Sequence, residues 1–318
     1  MLFFFMFIMI SSCNDDKNFD GGCIMWKWLD TGILETAAKR LIYEEQFGEG
    51  NSIRLNQSMA IHDGKVFCFN DGQECRVYDM ETKQKFKSNE LPDYSHHNNA
   101  QFLKTYYKET DKYPLLLLSR GNYPPSQNEL FVVRVTEENQ TFSFEIVKTI
   151  HNSINEAKFN GSWVADEDHG TLFLYCMTTG DWRKKEDNVF CIFSFPLPDV
   201  TNTDNVDIGY EDVLDKWVYS YLIHQGGTCY NGFLFFNIQD LNSINGHLLS
   251  SYKNVLAINA DNGHVEAFLP LEDNKETEGI SVYNNKLYVS FKDGNSEQQP
   301  YNTVFSLYEY SLPSMIAK

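Results

Sequence analysis

The sequence predicts an all-β fold, a five-bladed β-propeller, from its composition, a repeated hairpin motif and the spacing of that motif. Aromatic residues make up 15% of the 318 residues, with 24 Phe and 18 Tyr. This usage suits pleated, half-buried strands better than helices. The hairpin motif recurs at a spacing close to that of propeller blades, which decides the choice among all-β folds.

The hairpin motif is the strongest signal in the chain. Residues 57–67, 225–235 and 278–288 align without a gap, and each copy holds two short apolar strands around an Asp-Gly, Asn-Gly or Asn-Asn turn. Weaker copies begin at 98 and 160, so the copies start 41, 62, 65 and 53 residues apart. A four-stranded blade takes ~40 to 50 residues plus loops. Five blades fit this spacing, and a six-bladed propeller is the alternative if the step from 160 to 225 holds another blade.

Composition and charge narrow the class of protein further. Hydrophobic residues make up 42% and charged residues 22% of the chain, which is enough apolar surface for a core, so intrinsic disorder is excluded. The 26 Lys and Arg against 44 Asp and Glu give a net charge of -18. Because so acidic a surface repels phosphate backbones, we expect no nucleic-acid partner.

The N-terminus predicts export and a lipid anchor. Residues 1–10 form an apolar run that is shorter than the ~20 residues of a bilayer-spanning helix, which is typical of a signal peptide. The run ends in Ser-Ser-Cys13, which resembles the bacterial lipobox, where the cysteine is lipidated and becomes the first mature residue. The run opens without the Lys or Arg that is usual in signal peptides, and the alternative is a buried N-terminal strand.

These features divide the chain into three parts and give it a location. Asp15 and Asp16, just behind Cys13, resemble a surface-export signal of Gram-negative lipoproteins. We therefore expect an outer-membrane lipoprotein on the periplasmic or cell-surface face, in contact with the membrane through its lipid anchor. Residues 38–43 are expected to supply the outer strand of the last blade. The predicted parts are a signal peptide at 1–12, a lipidated tether and linker at 13–34, and the propeller domain at 35–318.

The cysteines allow two disulfide bonds, because an exported protein is in an oxidising compartment. Cys68 and Cys75 flank Asp71-Gly72, and a two-residue turn there would place the two cysteines opposite each other. Cys176 and Cys191 flank a longer loop in another copy of the repeat. Buried free thiols are the alternative for both pairs. No Cys-x-x-Cys spacing occurs, and we predict no metal site.

Three short runs resemble a known propeller domain. Residues 57–64, 76–79 and 97–100 look like the domain shared by a staphylococcal-phage receptor-binding protein and a teichoic-acid biosynthesis protein of Gram-positive bacteria. The chain is also similar to uncharacterised propeller lipoproteins of Gram-negative envelopes. The likeness runs from about residue 38 to the C-terminus. It implies a five-bladed propeller associated with surface polymers, and it carries over no catalytic residue. Ser58 stands where the resemblance leads us to expect glycine.

In a propeller the first strand of every blade lines the central channel, so one repeat position forms a ring of side chains. One position earlier the repeat adds two histidines. Histidines and a carboxylate among amides can bind a metal or a sugar, or exchange protons. The alternative is a packing role, in which the amides bond to the backbone of neighbouring blades. The predicted ring is Gln57, Asn98, Asn160, Gln225 and Glu278, with His97 and His224 beside it.

We therefore expect a binding protein that holds a glycan or envelope polymer at the channel mouth through these seven residues. The first alternative is a glycoside hydrolase or polysaccharide lyase with Glu278 as acid or base. Such enzymes use two carboxylates, and the repeat position supplies one, which counts against catalysis. The second alternative is a protein-interaction scaffold of an envelope complex. No hydrolase elbow, phosphate loop or dinucleotide motif is present, and no cofactor is predicted.

Two other groups of residues are candidates for ligand binding. Asp166, Glu167 and Asp168 can coordinate calcium, although an acidic hairpin tip is usually solvated. Exposed aromatic rings can stack on sugars, but in so aromatic a chain we expect most of them in the core, with one or two exposed. The aromatic candidates are Trp26, Trp28, Trp163, Trp182, Trp217, Tyr106, Tyr107 and Tyr123.

Overall fold

The structure, a computed structural model, describes residues 24–46, 57–93, 95–121, 128–157, 159–178, 189–220, 223–239, 243–244, 247–248, 253–271, 275–293 and 304–317. The predicted signal peptide, Cys13, Tyr123 and Trp182, and the side chains of Asn160 and His224, lie outside the described part. The described segments form β-strands and one 3₁₀ turn, at Tyr210–Asp212, and contain no α-helix. No helix in these segments is long and apolar enough to cross a membrane. The predicted all-β class is confirmed.

The strands are numbered in chain order. They are β1 (Ile24–Trp28), β2 (Leu34–Ala37), β3 (Lys39–Gln46), β4 (Ser58–His62), β5 (Lys65–Phe69), β6 (Asp71–Gly72), β7 (Cys75–Asp79), β8 (Lys85–Ser88), β9 (Ser95–His96), β10 (Asn99–Phe102), β11 (Leu116–Arg120), β12 (Glu129–Glu138), β13 (Thr141–Asn152), β14 (Phe159–Asp166), β15 (Thr171–Met177), β16 (Val189–Pro196), β17 (Val206–Ile208), β18 (Asp215–Ser220), β19 (Ile223–Tyr230), β20 (Phe233–Gln239), β21 (Ser243–Ile244), β22 (His247–Leu248), β23 (Asn254–Asn259), β24 (Val265–Pro270), β25 (Glu276–Tyr283), β26 (Lys286–Asp293) and β27 (Val304–Ser311).

The described residues contain five units of four antiparallel strands. The units are β4-β5-β7-β8, β10-β11-β12-β13, β14-β15-β16-β18, β19-β20-β23-β24 and β25-β26-β27-β3. Parallel pairing of β8 with β13 joins the first two units into one larger sheet. No further four-stranded unit occurs in the described part of the step from 160 to 225. The number of blades in the whole chain stays a prediction.

The strand that begins each unit lies next to the corresponding strand of the following unit. We call β4, β10, β14, β19 and β25 the inner strands. Each contacts the next in chain order, and β25 contacts β4, so the five strands surround one axis. The N-terminal strand β3 completes the last unit by pairing with β27, as predicted for residues 38–43.

The core consists of five apolar clusters, each between two successive units. On β11, Leu116 and Leu118 pack toward the first unit, whereas Leu115 and Leu117, from the same run, pack toward the third. Side chains alternate between the two faces of a strand, so a strand covered on both faces must be apolar throughout. The clusters explain why the hairpin copies read as continuous apolar runs.

The three strong hairpin copies turn as their sequences predict. Asp63-Gly64 has φ angles of 47° and 68°, and Asn231-Gly232 has 48° and 72°. Asn284-Asn285 has 48° and 58°. Such left-handed pairs form the tight turns that match the twist of a hairpin, and Asn, Asp and Gly tolerate them best.

The prediction of a two-residue turn at Asp71-Gly72 is wrong. These residues form β6 and pair with Ser95–His96, while the backbone N–H of Asn70 donates to the carbonyl of Glu74 at 3.1 Å. The longer turn shifts the register, so Cys75 lies opposite Phe69 and Cys68 lies opposite Arg76. Cys176 and Cys191 do lie directly opposite each other. The described cysteines Cys68, Cys75, Cys176, Cys191 and Cys229 are all free thiols.

Part of the predicted tether and linker belongs to the folded body. Strand β1 pairs with β24 on one side and with β2 on the other, which extends the fourth unit to six strands. Trp26 is fully buried in β1, and Trp28 is 6% exposed. Burial of two indole rings holds this segment on the sheet, so residues 24–28 and 34 are strand rather than tether.

Candidate functional site

The candidate site lies where the inner strands begin, which we call the mouth end. Gln57 and Gln225 are half-buried there, whereas Asn98 is 6% and Glu278 is 1% exposed. His97 is fully buried. Of the seven predicted ligand-binding residues, Gln57 and Gln225 are thus the partly accessible ones among those whose side chains the structure describes.

Amide side chains beside the predicted ring bridge the units. Asn99 donates from Nδ2 to the carbonyl of Trp163 at 2.9 Å and accepts at Oδ1 from the N–H of Gly227 at 3.0 Å. One buried side chain therefore joins β10 to both β14 and β19. The inner edges of these strands carry backbone N–H and C=O groups that need hydrogen-bond partners, and the Asn99 side chain is the partner of two of them.

Other polar side chains repeat this arrangement around the axis. Gln101 both donates to the carbonyl of Ala165 at 2.8 Å and accepts from its N–H at 2.9 Å. Asn237 donates to the carbonyl of Glu278 at 2.9 Å, and the Ser119 hydroxyl accepts from the N–H of Trp163 at 2.9 Å. For these residues the packing role, which the sequence left open for amides, accounts for the contacts.

Sequence reasoning missed Asn99, Gln101, Ser119 and Asn237 as bridging residues. For Ser119 and Asn237 the sequence does contain a signal, which lies near the end of the second strand of each unit. There the apolar run stops at Ser119, Asn237 or Ser290, each a small polar residue. Ser290 shares the sequence position but not the bridging role, because its hydroxyl accepts from the N–H of Gly279 at 2.8 Å within its own unit.

His97 is held neutral by its surroundings. Burial lowers the pKa of its imidazole from 6.5 to about 4, although the Asp93 carboxylate and backbone hydrogen bonds with Gly72 and Ser119 act in the opposite direction. The ring is therefore uncharged at neutral pH and packs inside the protein. This environment suits a structural histidine better than one that exchanges protons with a ligand.

The low pKa of His97 predicts acid sensitivity. The unfolded chain binds the proton near pH 6.5 and the folded chain near pH 4, so stability is lost as pH falls through this window. We expect the unfolding free energy to drop by about 3 kcal/mol from this group alone. Denaturant titrations at pH 7.5 and 4.5 on wild type and His97→Gln measure the effect. An equal pH dependence in both proteins would contradict the assignment.

A group of polar side chains at the mouth end joins β19 to β25. Gln225 donates to the Glu276 carboxylate at 3.3 Å. Lys292, directly opposite Glu276 on β26, places its Nζ 3.8 Å from Glu276 and 3.9 Å from Glu278. The Glu276 side chain is 40% exposed and that of Glu278 is 1% exposed. The accessible groups are thus an amide and a carboxylate, beside the Lys292 side chain, which is 13% exposed, and a second carboxylate, which is buried.

The remaining candidates have contacts with other residues. His97 lies beside Asp93 and His96 on the second unit, and Asn98 packs against Gly121, where a Cβ atom would lie 2.0 Å from its Nδ2. No cluster of three or more His, Cys, Asp or Glu that could hold a metal ion occurs among the described residues. In the acidic turn between β14 and β15, the Asp166 carboxylate is hydrogen-bonded to Nδ1 of His169 at 2.7 Å.

The aromatic candidates are mostly core residues, as expected. Trp26, Trp28 and Trp163 are buried, and Trp217 is half-buried and stacks on Phe173 with ring centroids 5.9 Å apart. Tyr106 is 40% exposed. It is the accessible ring among the candidates that the structure describes.

Comparison with known proteins finds distant structural similarities. No family model matches the chain, and no curated protein matches it in sequence. Glutaminyl cyclase of Myxococcus xanthus is similar in structure, with 12% identity, a TM-score of 0.46, and coverage of 87% of this chain and 98% of that chain. An exo-β-1,3-galactanase of Phanerochaete chrysosporium, crystallised with β-1,3-galactotriose, has 9% identity, a TM-score of 0.49, and coverage of 87% and 70%.

A third similar structure is the WD40 β-propeller domain of Doa1, with 12% identity, a TM-score of 0.37, and coverage of 81% of this chain and 64% of that chain. These similarities are distant, and the predicted all-β class rests on the strands and their pairing described above. The class includes both enzymes and binding scaffolds, so the likeness concerns the fold alone.

Proposed function

We propose that this protein binds a glycan or envelope surface polymer at the mouth end without cleaving it. The observation that carries the proposal is the grouping of Gln225, Glu276 and Lys292 at the start of β19 and β25. An amide both donates and accepts, a carboxylate accepts and an ammonium donates, so the group matches the hydroxyls of a sugar. Gln57, which precedes β4 on the other side of β25, extends the same surface.

The burial of Glu278 supports binding without cleavage. Hydrolysis of a glycosidic bond needs an acid and a second carboxylate that both reach the bond. Glu276 is accessible, whereas Glu278 is 1% exposed and lies beyond the Lys292 ammonium. A polymer resting on the mouth end would contact the first carboxylate and not the second.

The binding proposal is tested with the full chain, purified in mild detergent, on a panel of neutral and acidic polysaccharides. We expect binding of at least one polymer and an affinity about tenfold weaker for Gln225→Ala and Glu276→Gln, since each loses a hydrogen bond with the ligand. Glu81→Gln is the matched control, because Glu81 is an exposed carboxylate in the turn at the other end of the first unit. Binding by no polymer, or equal losses in the control, would overturn the proposal. Release of new reducing ends would favour the hydrolase.

We also propose that the protein is exported as a lipoprotein anchored through Cys13. The support is the apolar run that ends in Ser-Ser-Cys13 and the polar stretch behind it. Mass spectrometry of the mature N-terminus is expected to find a diacylated or triacylated cysteine. Cys13→Ser is expected to remove the protein from the membrane fraction. An unprocessed, unmodified N-terminus in the wild type would contradict the anchor.

A further inference from the structure

A second cleft lies at the end of the sheets opposite the mouth end. It belongs to the connection between β10 and β11, has a volume of about 560 Å³, and is lined by Tyr106, Glu109, Asp111 and Lys112. Inner strands begin at the mouth end, so the connection that follows β10 lies at the far end. The cleft is therefore separate from the proposed polymer site, and its argument does not rest on that site.

The connection is fastened at its start by the third unit. The Glu167 carboxylate accepts from the N–H of Thr105 at 3.1 Å and from its hydroxyl at 2.8 Å, and it also accepts from the N–H of Lys104. The Lys104 ammonium lies 2.6 Å from an Asp168 oxygen. Two carboxylates of the acidic hairpin tip, considered above as calcium ligands, hold the chain just before Tyr106.

The connection is fastened again at its end by the second unit. Arg134 donates to Asp111 through two parallel hydrogen bonds, of 2.7 and 2.9 Å, which also keep the pKa of this carboxyl below its usual value. Glu137 accepts from the Lys112 ammonium at 2.6 Å and from the Tyr113 hydroxyl at 2.7 Å. A ligand would meet a cleft that is already shaped, which lowers the entropic cost of binding.

The two adjacent tyrosines of this connection differ in their contacts. The Tyr107 ring lies under the Arg134 guanidinium, with the guanidinium carbon 5.5 Å from the ring centroid. Tyr106 is 40% exposed and faces the cleft. The exposed Tyr106 ring therefore gives the cleft an apolar surface for a ligand, with the charged side chains of the lining around it.

We propose that this cleft binds a short neutral glycan, with one sugar ring stacked on Tyr106. Arg134 neutralises Asp111 and Glu137 neutralises Lys112, so these two ion pairs attract no charged ligand, and the Glu109 carboxylate and the Lys112 ammonium remain as hydrogen-bonding groups. The carboxylate accepts from sugar hydroxyls and the ammonium donates to them. The volume lies within the roughly 300 to 1,000 Å³ of small-molecule sites. An organic cation, which the Glu109 carboxylate would attract, is the competing ligand.

The proposal is tested by ligand-observed NMR on the full chain with neutral trisaccharides of glucose, galactose, mannose and N-acetylglucosamine. We expect at least one of them to bind, and Tyr106→Ala to weaken binding about tenfold. Tyr210→Ala is the matched control, since Tyr210 is 48% exposed on the third unit, and it is expected to bind as wild type does. Gln225→Ala, at the mouth end, is expected to leave this binding unchanged.

Three results would overturn the proposal. The first is failure of the wild type to bind any of the four trisaccharides. The second is an equal affinity of Tyr106→Ala and wild type for the trisaccharide, which would place the bound sugar elsewhere. In that case, loss of binding in Gln225→Ala would place the sugar at the mouth end. The third is displacement of the sugar by tetramethylammonium at equal concentration, which would identify a cation site. Thermal melts of all variants check that each is folded.

Discussion

Replacement of Asn99 by alanine is expected to lower the free energy of unfolding by about 2 to 6 kcal/mol. The side chain is 1% exposed and pairs the carbonyl of Trp163 with the N–H of Gly227, on two different units. Its removal leaves two buried backbone groups without their partner, and each such group costs about 1 to 3 kcal/mol. Denaturant titration followed by circular dichroism measures the loss.

Asn89→Ala is the matched control for Asn99→Ala. The Asn89 amide also makes a side-chain hydrogen bond, of 2.7 Å to the Ser143 hydroxyl, but on the exposed surface. Water replaces that bond when it is lost, so we expect a change below about 0.5 kcal/mol. Similar losses in the two variants would show that Asn99 does not hold the units together. Asn99→Asp keeps the acceptor for Gly227 but removes the donor, and its stability is expected to resemble that of Asn99→Ala.

Gly279→Ala is expected to destabilise the protein by about 3 kcal/mol or more. A Cβ atom on this residue would lie 2.4 Å from the Cβ of Met59 and 2.7 Å from its backbone nitrogen. The contact joins β25 to β4, so the last unit would have to move away from the first. Backbone atoms cannot rotate aside as a side chain can. The loss of unfolding free energy is therefore expected at or above the upper end of the ~1 to 3 kcal/mol that overpacking usually costs.

The control for Gly279→Ala is Gly170→Ala, in the turn between β14 and β15. Gly170 has a φ of 63° and nothing lies within 4 Å of its Cβ position, so the cost there is backbone strain alone, about 1 kcal/mol. Thermal and denaturant unfolding of both variants measures the difference. Equal losses would mean that the β25 to β4 contact yields easily.

The hairpin copies were predictable because their information is local. Asp63-Gly64 and Asn231-Gly232 favour left-handed turns wherever they occur, and the flanking apolar residues specify strands. The expectation of a two-residue turn at Asp71-Gly72 was wrong, because the conformation there depends on pairing with Ser95–His96, more distant in the sequence. Strand β1 was missed for the same reason, since its partner β24 lies more than two hundred residues away.

The candidate site was predicted less well than the fold, because register near the axis is not encoded locally. Irregularities in pairing occur between His224 and Gly226 and between Thr277 and Ile280, at the positions where the repeat was aligned without a gap. Such bulges re-aim neighbouring side chains. Glu276 therefore joins Gln225 at the mouth end, although the aligned repeat position pointed to Glu278.

The pairing of β3 with β27 affects the order in which the chain can fold. Tyr43 lies opposite Leu307, so β3 stays without this partner until Val304–Ser311 has been made and is in place. Until then two strand edges are open, and open edges invite pairing with other molecules. A truncation that removed Val304–Ser311 would leave the facing edges of β3 and β26 open to other molecules.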